Sequence, residues 1–466
     1  MYVMKNLMKY GILCFTILLC IGCEKDFLEV KPTSTILVPK TLEELEGLLE
    51  NYEVLNRATP ALSQMASDDY VYTSYASWQS ANTATERNSY IWARDIFAGA
   101  SVVSDWALGY KGIFYCNNVL QALQDIGGES AQSTQYRRVK GWAYFMRAYL
   151  LYDLVRNFSP VYDEVSAPTD LGIPVPLEAR VDQIFPRASV KATYAQILQD
   201  LSLAVPLLES AAPANSNRPS KAAAYALFSR IYLSMRLYGS AELYADSTLT
   251  LNSKLIDYNT VSKTATSPFA ANNDESIFST GAVFEAYGSI YPGSANTAVT
   301  VNPELIGLYA PTDLRLTTFF RQNTTTGKLY MRRSYLPQSR PYTGLATDEI
   351  YLIKAECLSR RGNAEEALNW LNRLLKNRFA PGNFIPVEEL SASAALQRIM
   401  TERRKELVGR TLRWTDLKRL NREGANITLT RDLNGMTYTL PPNDPRYVFP
   451  IPDDEIALSG IQQNIR

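Results

Sequence analysis

Asp348 to Lys376 reads DEIYLIKAECLSRRGNAEEALNWLNRLLK, and the reading of this stretch decides the fold. Gly362-Asn363 marks a turn at its centre, with a helix-length segment on each side. The stretch is predicted to be a helix-turn-helix. Neither helix of such a pair can bury its apolar face alone, so pairs of this kind gain stability by stacking on one another.

Ala367 is followed four residues later by Leu371, the small-then-large spacing of tetratricopeptide repeats. The design recurs upstream. Lys221 to Tyr238, KAAAYALFSRIYLSMRLY, is a helix whose Ala222, Ala223, Ala224, Ala226 and Ser229 admit a close neighbour. Gly239 is expected to break it, and SAELYADSTLTL to begin the partner, with Ala241, Tyr244, Ala245 and Leu249 in step. A looser pair joins Trp106–Leu123 to Tyr136–Phe158, the strongest helical signal in the chain. There Val139, Trp142, Ala143, Met146, Tyr149, Leu150 and Leu154 form one stripe, while Phe145, Ala148, Leu151 and Tyr152 make another side apolar. Arg137, Arg138, Lys140, Arg147 and Asp153 bar it from a bilayer, so it is read as a core helix. An ordinary helical bundle would need the same spacings by coincidence. The expected fold class is mainly α: a tetratricopeptide-like scaffold of helical hairpins with a long loop-rich excursion and short strands. Residues 257–345, rich in Thr, Asn, Ser, Pro and Gly, supply the excursion. Residues 425–452 read as a hairpin around Asn434-Gly435 and a proline-rich return.

The chain carries 47 basic and 47 acidic residues, a balance that gives no footprint for nucleic acid. Histidine is absent, which removes Ser-His-Asp and Cys-His relays, a histidine general base and the usual zinc sites. Phosphate-cradling glycine motifs are missing too, and no cofactor is expected. Carboxylates remain as catalytic candidates. Glu402 and Glu406 lie one helical turn apart, but Arg403, Arg404 and Lys405 favour a salt-bridged helix face over a glycosidase pair. Asp453 is expected to cap a short terminal helix. Asp68-Asp69 is a weak calcium signal, and no metal site is assigned. Cys116 and Cys357 allow one disulfide at most and suit buried thiols better.

The other three cysteines fall within the first 23 residues. Lys5 and Lys9 flank the start of an apolar run, Tyr10–Cys20, of the length of a secretory signal and too short to span a bilayer. Gly22 supplies the small residue that a bacterial lipoprotein peptidase requires before Cys23, with Cys20 standing where leucine is usual. Residues 1–22 are read as a signal peptide, Cys23 as the lipidated residue and residues 23–40 as a tether. The alternative is a signal cut nearby without lipid. Two acyl chains, at roughly 0.8 kcal/mol per buried methylene, would anchor the protein stably.

Asp68 to Trp92, DDYVYTSYASWQSANTATERNSYIW, is an aromatic window among Ser, Thr, Asn and Arg. Flat rings with polar neighbours suit a sugar, whose C–H face stacks while its hydroxyls hydrogen-bond, and they suit a peptide equally. Asp69, Tyr75, Trp78, Tyr90 and Trp92 are the candidate ligand contacts. Tyr287 and Tyr291, near Phe284 in the excursion, are expected to converge on them. The competing reading is that the rings pack loops against helices.

CEKDFLEVKP, RRVKGWAYFMRAYLLYDLVRNF with DLGIPV, RPSKAAAYALFSRIYLSM, NDESIF, LYAPTDLR, EIYLIKAECLSRRGNAEEALNWLN, ERRKELVGRTLRWTDLKRL and DPRYVFPIPDDEIALSGIQQN follow one another along the chain. This ordered set resembles the SusD/RagB family of nutrient-binding outer-membrane lipoproteins, over nearly the whole mature sequence. Ser159, where glycine is usual, and Ala346, where arginine is frequent, depart from the pattern. The resemblance implies an N-terminal SusD-like helical part, 41–259, and a SusD/RagB-type part, 260–466, in one compact unit. It also implies a lipid-anchored protein on the outward face of the outer membrane, which captures glycan fragments without cleaving them. The implied partner is a SusC-like TonB-dependent barrel. A peptide-binding RagB-like component, a surface glycosidase using acids such as Asp69, and a ligand-free structural cap are the alternatives.

Overall fold

Helices occur where the sequence carries apolar stripes at helical spacing. In the computed structural model they are α1 (Leu42–Leu49), α2 (Ser104–Ile126), α3 (Thr134–Phe158), α4 (Val190–Ala204), α5 (Lys221–Ser234), α6 (Tyr238–Leu251), α7 (Thr347–Arg360), α8 (Ala364–Leu375), α9 (Ala392–Glu406) and α10 (Arg413–Arg422). The described residues are 39–127, 132–283, 288, 293, 297–388 and 391–466. The three expected hairpins form, α2 against α3, α5 against α6 and α7 against α8. α4 packs on α3, α6 on α7, and α9 on α7, which extends the stack. The fold is mainly α, and Thr41–Arg466 is one compact unit. Among the described residues no helix is long and apolar enough to cross a membrane. The signal, Cys23 and tether lie outside the described residues, apart from the last two tether positions.

Small residues set how closely the helices approach. A Cβ on Gly112 of α2 would stand 2.5 Å from Leu150 Cδ1 of α3, so any larger residue would force the buried Leu150 side chain to shift. In α5 the alanines face inward as expected, and Ser229 donates to the Ala241 carbonyl of α6 at 2.9 Å. Every residue of α3 from Phe145 to Phe158 is buried, and its charges are paired inside. Arg147, for example, donates to both oxygens of Asp200 in α4, at 2.8 and 2.7 Å.

Two details correct the sequence reading. Gly239 does not break the second hairpin; it lies inside α6. The chain turns at Arg236, in left-handed backbone with φ +64°, where Arg236 and Leu237 N–H groups donate to the carbonyls of Leu233 and Tyr232. Arg236 tolerates that conformation because its guanidinium is tied to the Tyr162 carbonyl at 2.9 Å and to Asp163 at 3.0 Å. Asp453 is not the cap of the terminal helix Asp453–Ser459. Pro452 holds that position, and Asp453 is the first helical residue.

The excursion between α6 and α7 has its own aromatic core, which includes Tyr258, Phe269, Tyr309, Phe319, Tyr335 and Tyr342. The strands of the molecule are short: β1 (Tyr70–Tyr72) pairs with β2 (Val299–Val301) of the excursion, and other two-residue and three-residue ladders stitch the loops. β3 (Leu429–Leu433) and β4 (Met436–Leu440) form the expected hairpin. Its turn residues Asn434 and Gly435 both have positive φ, +52° and +75°, as a two-residue turn of this kind requires.

Glu402 and Glu406 are ion-paired as expected, but inside the protein and not on a helix face. Arg315, from the excursion, bridges Asp313 at 2.7 Å, Glu402 at 2.6 Å and Glu406 at 2.9 Å, all four fully buried. Arg378 continues the chain from Glu406 to Glu275, and Arg410 pairs with Asp348. Ser159 follows α3 in extended backbone with φ −136°, which needs no glycine, and its carbonyl accepts from Lys418 Nζ at 2.7 Å. Cys116 and Cys357 are both buried and unbridged.

Candidate ligand-binding site

The window Asp68–Trp92 meets the excursion through the antiparallel β1–β2 ladder, with Tyr70 opposite Val301 and Tyr72 opposite Val299. The excursion also reaches it at Gly288, where a Cβ would come within 2.6 Å of Asn82 Nδ2. Tyr287 and Tyr291, with Phe284, lie outside the described residues.

After β1 the chain enters a short helix, Tyr75–Gln79. Ser74 caps it, its Oγ accepting from the Ser77 N–H at 3.0 Å, and none of the helix is buried. Tyr75 is 37% exposed and Trp78 half-buried. Their rings stack, with centroids 5.4 Å apart and planes inclined by 26°. Trp78 Nε1 donates to the Arg87 carbonyl at 3.1 Å, and Arg87 Nη1 donates to the Ala81 carbonyl at 2.7 Å, so the indole is anchored along one edge. An anchored, accessible ring pair flanked by Thr73, Ser74, Ser77 and Asn82 offers both a stacking face and polar partners.

The other candidates turn inward. Tyr90 is 3% and Trp92 1% exposed, which corrects their assignment as ligand contacts. Tyr70, Tyr72 and Tyr90 pack on one another, the tightest pair edge-on with centroids 4.7 Å apart. Arg431 of β3 lies 3.8 Å over the Tyr90 ring and 4.6 Å over Trp92, while its guanidinium donates to the carbonyls of Ala66, Ser67 and Tyr90. Trp92 Nε1 donates to the Ala66 carbonyl at 2.9 Å. These rings form the floor under the platform. Sequence reasoning missed Arg431, whose local signal is its place between Leu429 and Leu433 on the buried face of an alternating strand.

Asp69 is buried as well, its Oδ2 accepting from Gln64 Nε2 and the Gly409 N–H, both at 3.1 Å. Burial, reinforced by the neighbouring Asp68 charge, raises its pKa. Asp68 behaves oppositely. Burial opposes its ionisation, yet the guanidinium groups of Arg413 and Arg404 hold the carboxyl well below the usual carboxylate range. Of the acids singled out in the sequence, Asp68, Glu402 and Glu406 are therefore spent on arginines.

Two family models match the chain. One, described as starch-binding associating with outer membrane, covers residues 26–233; the other, described as SusD family, covers residues 338–465. Solved structures agree on the fold. A SusD superfamily protein from Bacteroides thetaiotaomicron is 22% identical with a TM-score of 0.73, over 91% of this chain and 100% of its own. A putative sugar binding protein from Bacteroides vulgatus is 21% identical with a TM-score of 0.74, over 92% and 99%. Surface glycan-binding protein A from Bacteroides fluxus is 20% identical with a TM-score of 0.68, over 91% and 99%. No curated protein matches the chain. The fold and its stacked hairpins thus define a SusD-like protein. The chain belongs to the SusD/RagB family.

Proposed function

We propose that this protein is a cell-surface lipoprotein that captures glycan oligosaccharides on the Tyr75–Trp78 platform and hands them to a SusC-like TonB-dependent barrel. The observation that carries the reading is the accessible, edge-anchored ring stack on a capped helix. Family membership supports the outer-membrane location, and the names of the Bacteroides vulgatus and Bacteroides fluxus proteins support a sugar. Anchoring is assigned to a lipid on Cys23, which would keep the protein at high effective concentration beside its barrel. No bond is broken in this reading.

The test is isothermal titration against a glycan panel. Tyr75→Ala and Trp78→Ala should each weaken the best hit about tenfold, roughly 1.4 kcal/mol, with an unchanged melting temperature. Early melting with normal affinity would make the rings packing elements. Release of new reducing ends would turn the reading to a glycosidase, and binding of peptides alone to a RagB-like peptide carrier.

A further inference from the structure

Residues 160–171, the last turn of α10, residues 443–448 and the C-terminal residues 462–465 enclose a cavity of about 550 Å³. Val161, Leu171 and Val448 give its walls aliphatic surface. Polar groups stand among them with capacity to spare. Arg422 of α10 donates from Nε to Asp163 at 3.1 Å; its side chain is 44% exposed, and neither Nη has a hydrogen-bond partner among the described residues. Asp170 Oδ2 accepts from Ser166 Oγ at 2.6 Å, which leaves Oδ1 without a donor among the described residues. Asn443 Nδ2 donates to the Asn421 carbonyl at 3.2 Å, and its Oδ1 takes no donor there. The amide of the exposed Gln462 is likewise unengaged among the described residues.

Lys418 is the buried member of the lining. Its Nζ donates to the carbonyls of Arg156 and Ser159 at 3.0 and 2.7 Å, pinning the end of α3 to the wall. Burial, with the Arg156 charge adding to it, pulls its pKa down to about 7. A shifted group in the wall of a concave site with convergent polar groups marks a place for a ligand.

The open groups differ in kind. A guanidinium only donates, an ionised carboxylate only accepts, and a side-chain amide does both. Each sugar hydroxyl donates and accepts, so this set suits adjacent hydroxyls, with the aliphatic side chains against the C–H face. An extended peptide fits less well. It would need a strand edge, and Arg187 already occupies the carbonyls of Leu171 and Gly172 at the wall, at 3.1 and 2.8 Å. An anion would face Asp163, Asp170 and Asp444.

We propose that this cavity is a second subsite, for a neutral sugar, in which Arg422, Asp170, Asn443 and Gln462 hold the ring hydroxyls. The choice of a sugar rests on the glycan reading above; the cavity shares no lining residue with the Tyr75–Trp78 platform.

Isothermal titration with maltotriose, cellotriose, xylotriose, mannotriose and galactotriose tests it, with trialanine as the peptide control. At least one trisaccharide should bind the wild type at two sites per chain and the Tyr75→Ala, Trp78→Ala double variant at one. Gln462→Trp, which fills the cavity from an exposed position and removes the amide, should abolish the remaining site at constant melting temperature. Arg422→Met leaves Arg236 on Asp163 and should weaken that site about tenfold, roughly 1.4 kcal/mol. A single site that the double variant loses and Gln462→Trp keeps overturns the cavity and spares the platform. A single site that Gln462→Trp loses and the double variant keeps overturns the platform and spares the cavity. Trialanine bound where no trisaccharide is, and blocked by Gln462→Trp, overturns the sugar assignment. No trisaccharide bound by the wild type overturns the proposal, while a longer glycan still held through Tyr75 and Trp78 would leave the platform standing.

Discussion

Glu275 accepts hydrogen bonds from Arg378 and from the Ile256 N–H, and it lies with Asp348 and Glu406 in a fully buried group of acids. Burial, together with the charges of Asp348 and Glu406, pushes its carboxyl up to about 7 in spite of Arg378. The folded state therefore holds this proton more tightly than the unfolded chain, whose value is 4.5. The stabilisation is complete below that value and is lost as pH rises towards 7. Urea unfolding of the protein and of Glu275→Gln between pH 4.5 and 8 should show the wild type losing stability relative to the variant up to about pH 7 and running parallel above it. Parallel curves throughout would mean that another group holds the proton. Trp92 allows a second test at this scale. Trp92→Ala should destabilise by about 3–5 kcal/mol, as removal of a buried indole does, and leave glycan affinity per folded molecule unchanged. The aromatic window was visible in the sequence as a cluster, but which rings face water was not. Tyr90 and Trp92 are turned inward by Arg431, whose bond to the Tyr90 carbonyl spans 341 positions.

Helices and turns were the most legible part of the molecule, because stripes at steps of three and four are written locally. The hairpin at Gly362 formed as read, with φ +90° at that glycine. The second hairpin was placed correctly but its turn was not, since glycine is the usual left-handed residue and here Arg236 takes that role through distant partners. Two glycines in neighbouring hairpins should consequently respond in opposite ways to alanine. Gly112→Ala drives a methyl to 2.5 Å from Leu150 Cδ1 and should destabilise by ~1–3 kcal/mol, more than the gain in helix propensity returns. Gly239→Ala meets nothing within 4 Å and should stabilise by about 0.5 kcal/mol. Thermal unfolding of the two variants decides both signs.

The whole molecule is held together across sequence by buried charge. Arg315 ties the aromatic core of the excursion to α9, through acids 87 and 91 positions away. Removing one partner of such a group strands the others, so Arg315→Met should cost about 3–5 kcal/mol in denaturant unfolding. Local pattern showed Glu402 and Glu406 as paired acids but could not supply Arg315. The cavity beside α10 was hidden for the same reason, being a product of one helix, two loops and the C-terminal residues meeting in space. At this scale the two interior cysteines have a practical outcome. Burial pushes the Cys116 thiol up to about 12 and raises Cys357 as well, so neither offers a thiolate near neutral pH. A cysteine placed at an exposed site such as Val181 in a chain starting at Thr41 would accept a maleimide dye without background. The labelled protein could then be followed in solution by its dye, with no interior cysteine needing replacement first.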